Sequence, residues 1–80
     1  MSAIRELDVV RVISLEGMRC GLEERYARAP RIGDIAAVVM LLRAPKHADG
    51  YLCECVAEDG ATCWLATFPR GSIEAVVATP

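Results

Sequence analysis

The chain predicts a mostly β domain: a small five-stranded antiparallel barrel with one short helix or long loop after its first strand. Three stretches carry that expectation. Residues 35–42 read Ile-Ala-Ala-Val-Val-Met-Leu-Leu, with no polar side chain. Residues 7–15 alternate, imperfectly, between apolar and polar side chains. Glu58-Asp59-Gly60 has the composition of a three-residue hairpin loop between two alternating segments. The apolar run is far too short to cross a bilayer, which takes about 20 residues as a helix. With β-branched Val38 and Val39 inside it, Arg31-Ile32-Gly33-Asp34 before it and Ala44-Pro45 after it, the run reads as a strand buried on both faces.

In chain order, residues 7–15 form the first strand, with Leu7, Val9, Ile13 and Leu15 on its apolar face and Asp8, Val10, Val12 and Ser14 on the other. Arg11 interrupts the apolar face, where its stem can cover apolar surface while the guanidinium reaches water. Residues 16–31 are irregular, broken by Gly17 and Gly21 and stopped by Pro30. Within them, 22–28 forms either a short helix, with Leu22 and Tyr26 inward and an i,i+4 pair between Glu24 and Arg28, or a loop.

Beyond the apolar strand, residues 43–50 contain Pro45, Asp49 and Gly50 and read as a loop, and 51–56 as the third strand. A glycine at the left-handed position of the 58–60 turn sets a register. Ala57 falls opposite Ala61, Cys55 opposite Cys63, Glu54 opposite Trp64 and Cys53 opposite Leu65. One face of this hairpin is then Tyr51, Cys53, Cys55, Cys63 and Leu65; Leu52, Glu54, Val56, Thr62, Trp64 and Ala66 lie on the other. Residues 67–71 break the pattern, with Pro69 starting a tight turn, and 72–77 form the last strand. Closing such a sheet into a barrel is the economical way to remove its edges.

Eighty residues make a single domain, 1–80, with 16–31 as an irregular insertion. A body this small buries only roughly 60% of the surface of its unfolded chain. The composition is 54% hydrophobic but only 5% aromatic, more apolar surface than so small a body hides easily, and self-association is the simplest resolution. The net charge of −2 argues against a generic polyanion binder. Its distribution is uneven: residues 17–47 carry a net +3 and residues 48–80 a net −4, a dipolar pattern suited to pairing between subunits. No charged-then-apolar signal pattern opens the sequence, so a cytoplasmic protein with free thiols is expected, and no membrane partner.

Taken together, Leu7-Asp8-Val9-Val10, then Ile32-Gly33-Asp34-Ile35 leading into Val38-Val39, then Cys53-Glu54-Cys55 before Glu58-Asp59-Gly60, and a short closing strand resemble the small SH3-like barrels of the KOW type. The order is similar in particular to a bacterial family of uncharacterised stand-alone domains. Their pattern is leucine-aspartate, glycine-aspartate, a Gly-Thr-Val-Val strand and a Val-Glu-Phe strand before an Asp-Gly turn. Here Ala36-Ala37 stand in place of Gly-Thr, and cysteines flank Glu54 in place of larger apolar residues. The resemblance implies an SH3-like barrel and a binding or scaffolding role, with no catalytic residues to transfer.

The residues that could carry chemistry are few. Cys53, Cys55 and Cys63 share the expected inner face, with His47 as a conceivable fourth ligand. Cysteines two apart on an extended strand stand about 7 Å apart, which does not close a tetrahedron around one ion. Buried small apolar side chains are the better reading, and no metal or other cofactor is expected. A Cys55–Cys63 cross-strand disulfide fits the register but not a reducing compartment. Cys20 is the thiol expected to be most exposed, yet nothing marks a base beside it. His47 is the single histidine, and Glu23-Glu24 and Glu58-Asp59 have the look of solvated loop charges. With neither a phosphate loop nor a nucleophile elbow, an enzyme is not expected.

Arg25, Tyr26, Arg28, Arg31, Arg43 and Lys46 are the only hint of nucleic acid, a basic stretch bearing one aromatic. Glu23 and Glu24 lie among them, and RNA binding stands second. If the thiol face is the core, Trp64 points outward opposite Glu54, beside Leu52 and Val56, as interface tryptophans do. If curvature buries both faces, Trp64 is core instead. The expected function is a non-catalytic protein-interaction module that self-associates through Trp64, Glu54, Val56, Leu52 and the valine-rich strands. The alternative is an RNA-binding barrel using the basic 19–47 region.

Overall fold

The computed structural model describes residues 4–20, 26, 28–44 and 47–76. The strands are β1 (Val9–Val12), β2 (Arg19–Cys20), β3 (Ile35–Ala44), β4 (His47–Val56), β5 (Thr62–Pro69) and β6 (Ile73–Ala75). They pair antiparallel in one sheet ordered β2-β5-β4-β3-β1-β6. Five of them have three or more residues; β2 has two. The only helix among the described residues is a 3-10 turn, Arg70–Ser72, entered from Pro69 as the tight turn expected there. The short helix or loop expected over 22–28 lies outside the described residues except for Tyr26 and Arg28.

Connection lengths make the sheet curl. The step from Pro69 to Ile73 spans at most ~14 Å of chain. In the sheet order β5 and β6 lie four strand spacings apart, about 19 Å if the sheet were flat. Curling brings them together and wraps one face around the core. The sheet does not close, however: β2 and β6 form its two ends with no ladder between them among the described residues. The expected barrel is therefore corrected to an open, curled sheet, because strands of two and three residues carry too few backbone groups to zip a seam. Ser72 bridges part of the gap. Its hydroxyl donates to the Glu16 carbonyl at 2.9 Å, and its carbonyl accepts from Ile13 N–H at 2.9 Å and Ser14 N–H at 3.2 Å.

The core is the concave face: Val10 and Val12 of β1, Ala36 and Val38 of β3, Tyr51, Cys53 and Cys55 of β4, Trp64, Ala66 and Phe68 of β5, and Ile73 of β6. For β1 this inverts the sequence expectation. Val10 and Val12 are buried, while Leu7, Val9, Ile13 and Leu15 are exposed. Arg11 decides the choice, since burying its face would bury a guanidinium, whereas outside it reaches Glu74 at 3.1 Å. β3 is likewise buried on one face only: Ala36 and Val38 face in, Ile35, Met40 and Leu42 face out. The 43–50 loop is shorter than expected, since β3 runs to Ala44 and β4 starts at His47. β5 continues through Thr67 and Phe68 to Pro69, where a break was expected.

The 58–60 turn forms as read. Gly60 takes φ 90°, Ala57 N–H donates to the Ala61 carbonyl at 2.8 Å, and Asp59 Oδ1 accepts from Ala61 N–H at 2.9 Å. The register it sets survives for one strand pair, Val56 opposite Thr62, and then slips: Cys55 lies opposite Trp64, Glu54 opposite Leu65 and Cys53 opposite Ala66. Cys63 is the extra residue, a β-bulge that moves every later side chain of β5 to the other face. Trp64 is thereby fully buried and packs edge-on against Phe68, centroids 5.6 Å apart at 62°. Leu65 moves outward.

Candidate functional site

Two features stand out once the sheet is built: a polar node at one end of the core, and an apolar outer face. The node is centred on Asp34. Arg31-Ile32-Gly33-Asp34 makes the predicted turn, with Gly33 at φ 96° and Asp34 N–H donating to the Arg31 carbonyl at 3.1 Å. The carboxylate turns back to accept from Arg31 N–H at 2.9 Å. It also accepts both arms of the Arg28 guanidinium, at 2.7 and 3.1 Å, and the Trp64 indole N–H at 2.9 Å. Burial opposes ionisation of Asp34, but these hydrogen bonds and the Arg28 charge outweigh it and hold the carboxyl below its ordinary range. The same hydrogen bond raises Arg28. Arg28 N–H in turn donates to the carbonyl of the bulged Cys63 at 3.2 Å. The node therefore locks the loop before β3 onto the bulge of β5. Its donors and acceptors satisfy one another, which marks it as structural.

The outer face is different. Following the ladders, Val9, Ala37, Glu54 and Leu65 form one row, and Met40, Leu52, Thr67 and Arg19 the next. Val9 is 45% exposed, Met40 49% and Val56 51%, and Ile35, Val39 and Leu42 are exposed as well. The polar groups here are largely paired with each other, Arg11 to Glu74 and the Thr62 hydroxyl to Glu54 at 2.7 Å. Beside this face Leu7 stands 82% exposed at φ 71°, a left-handed backbone that disfavours a leucine by about 1–2 kcal/mol. Hydrogen bonds hold it there: Leu7 N–H to the Val38 carbonyl at 2.7 Å, and Val38 N–H to the Asp8 carbonyl at 2.9 Å. Val39, next in line, is an extra residue where the β3–β4 register shifts. Contiguous exposed apolar side chains on one sheet face are what interaction surfaces show.

Of the interface residues expected from the sequence, Leu52 and Glu54 lie half-buried on this outer face and Val56 is exposed on it, whereas Trp64 is not at the surface. The correction has one cause, the Cys63 bulge. Of the basic set, Arg31 is exposed, Tyr26 is half-buried, and Arg28 is held by Asp34. Arg25, Lys46 and the Arg43 side chain lie outside the described residues. Of the thiols, Cys53 and Cys55 are core, and Cys63, in the bulge, is partly buried against the same core. Burial pushes the Cys53 thiol up to about 11. Leu7, Val9, Ile35, Val39 and Met40 were not singled out as surface residues from the sequence. The available signal was Arg11, which shares a face with Val9 and so turns that face to water. Comparison with protein-family models, with curated proteins and with solved structures gives no match.

Proposed function

We propose that this chain is a non-catalytic interaction domain of SH3-like build that pairs with a second copy of itself through the outer face of its sheet, around Leu7, Val9, Val39 and Met40. The observation that carries the proposal is the exposure of Val9, Met40 and Val56 on one continuous face with a strained, exposed leucine beside it. Fully burying a large aliphatic side chain gains about 1.5–3 kcal/mol, so several half-exposed ones gain enough together to offset part of the loss of freedom on association. A like copy fits because Arg11 is already paired with Glu74 and Glu54 with Thr62 within the chain. Such a face selects for apolar complementarity, and a two-fold pairing offers each copy the same patch. The SH3-like build is supported by the strand order, with the short closing strand β6 returning beside β1, and by the curl of the sheet.

The RNA-binding reading gains no comparable support. Arg28, one of its cations, is neutralised by Asp34, and a free guanidinium is what phosphate attraction needs.

Sedimentation equilibrium of the chain and of Met40→Lys tests the pairing. The wild type is expected to shift from monomer to dimer with concentration and the variant to remain monomeric with unchanged circular dichroism. A wild type that stays monomeric at the highest soluble concentration overturns the proposal.

A further inference from the structure

The bulge on β5 creates a second arrangement, separate from the outer face. At a β-bulge two residues of one strand face one residue of its partner; here Cys63 and Trp64 of β5 share Cys55 of β4. Cys63 is partly buried and packs against the core cluster that contains Cys55. Cys53 is set apart from this pair. It is fully buried, its thiol donates to the Tyr51 carbonyl at 3.5 Å, and it lies about 7 Å along the strand from Cys55. The pair is also asymmetric in access: Cys55 is buried and Cys63 reaches the surface. Burial, first, and the neighbouring Cys63 keep the Cys55 thiol protonated to higher pH than usual, with the Asp34 charge adding to the shift and the Arg28 charge opposing it.

We propose that Cys55 and Cys63 are a modification site that forms a reversible intramolecular disulfide by exchange with low-molecular-weight disulfides such as oxidised glutathione. The Cys63 thiolate, the more accessible sulfur, attacks one sulfur of the glutathione disulfide; the new S–S bond forms as the old one breaks and one glutathione thiolate leaves. The Cys55 thiol then gives up its proton, its sulfur attacks the Cys63 sulfur, and the second glutathione thiolate leaves. Two protein thiols are oxidised, one disulfide is reduced to two thiols, and the two protons end on the glutathiones. The bond pins the bulge, and with it Trp64 and the Asp34 node. This inference stands whether or not the outer face pairs.

The test uses the full chain incubated with oxidised glutathione, alkylation of the remaining thiols, peptide mapping, and emission of Trp64, the single tryptophan. The expected product has lost the mass of two hydrogens, carries a 55–63 linkage with Cys53 still alkylatable after unfolding, and has quenched indole emission, since the new disulfide lies against the ring. Cys55→Ser is expected to stop at a glutathione adduct on Cys63. A wild type that accumulates that adduct, that links Cys63 to Cys20 or Cys53 instead, or that stays fully reduced overturns the proposal.

Discussion

The Trp64 indole N–H donates to Asp34 Oδ2 at 2.9 Å, joining a turn before β3 to the bulged start of β5. The bond uses the only polar atom of a side chain that is otherwise wholly in the core, and it is shared by an oxygen that Arg28 also holds at 2.7 Å. Removing the carboxylate leaves a buried indole N–H without its acceptor and leaves the Arg28 guanidinium with only the Ala29 carbonyl, at 3.1 Å. Asp34→Ala is expected to lower unfolding stability by about 1–3 kcal/mol, mainly through the orphaned indole N–H, read as a fall in the urea midpoint at constant slope. Trp64→Phe leaves Arg28 paired with Asp34, and its loss comes mainly from packing.

Acid should act through the same carboxyl. Free in the unfolded chain, Asp34 takes up a proton near 3.8, and in the folded chain it stays ionised to lower pH. Its contribution to stability is therefore whole above the unfolded value and is lost as pH falls through the folded one. Urea midpoints of the wild type and Asp34→Asn are expected to differ by a constant amount near neutrality and to converge below about pH 4. Parallel curves down to the acid limit would assign the effect to another group.

At Leu7 stability and association are expected to move in opposite directions. Glycine accepts the left-handed backbone that leucine resists, so Leu7→Gly should raise the thermal midpoint, with a gain of up to about 1 kcal/mol after glycine's own entropy cost. The same change removes an exposed apolar side chain and is expected to weaken self-association. A fall in stability would mean that the leucine side chain packs within its own chain.

The facing of β1 is tested by neighbouring valines. Val10→Ala opens space in the core and should cost about 2 kcal/mol, while Val9→Ala should leave the monomer's stability within about 0.5 kcal/mol. Chemical denaturation at low protein concentration, where pairing is dissociated, separates the two.

How far the sequence was legible follows from which interactions are local. The 58–60 turn and the Arg31–Asp34 turn were readable because a glycine at positive φ and an Asx side chain act within a few residues. The 35–42 run was readable as a strand from its apolar content. Its open outer face was not, because no local rule says how many layers cover a sheet. The Cys63 bulge left no mark in the pattern: thiol, indole and small side chains alternate equally well in either register. The choice comes from Asp34, 30 residues away in sequence, whose acceptor rewards an inward indole. For β1, both faces were apolar enough to be core, and the single charge of Arg11 weighed more than the larger hydrophobicity of Leu7, Ile13 and Leu15. The candidate surface was thus missed for the same reason that the inner face was misassigned.

Pairing of copies through the outer face would bring protons of the two chains into contact. Intermolecular nuclear Overhauser effects in a mixture of isotope-labelled and unlabelled chains test it most directly. Cross-peaks between chains are expected from the Met40 methyl and the Val9 and Leu7 methyls, and none from Val12 or Phe68. Cross-peaks confined to the 28–34 loop, or none at all at high concentration, would contradict that pairing.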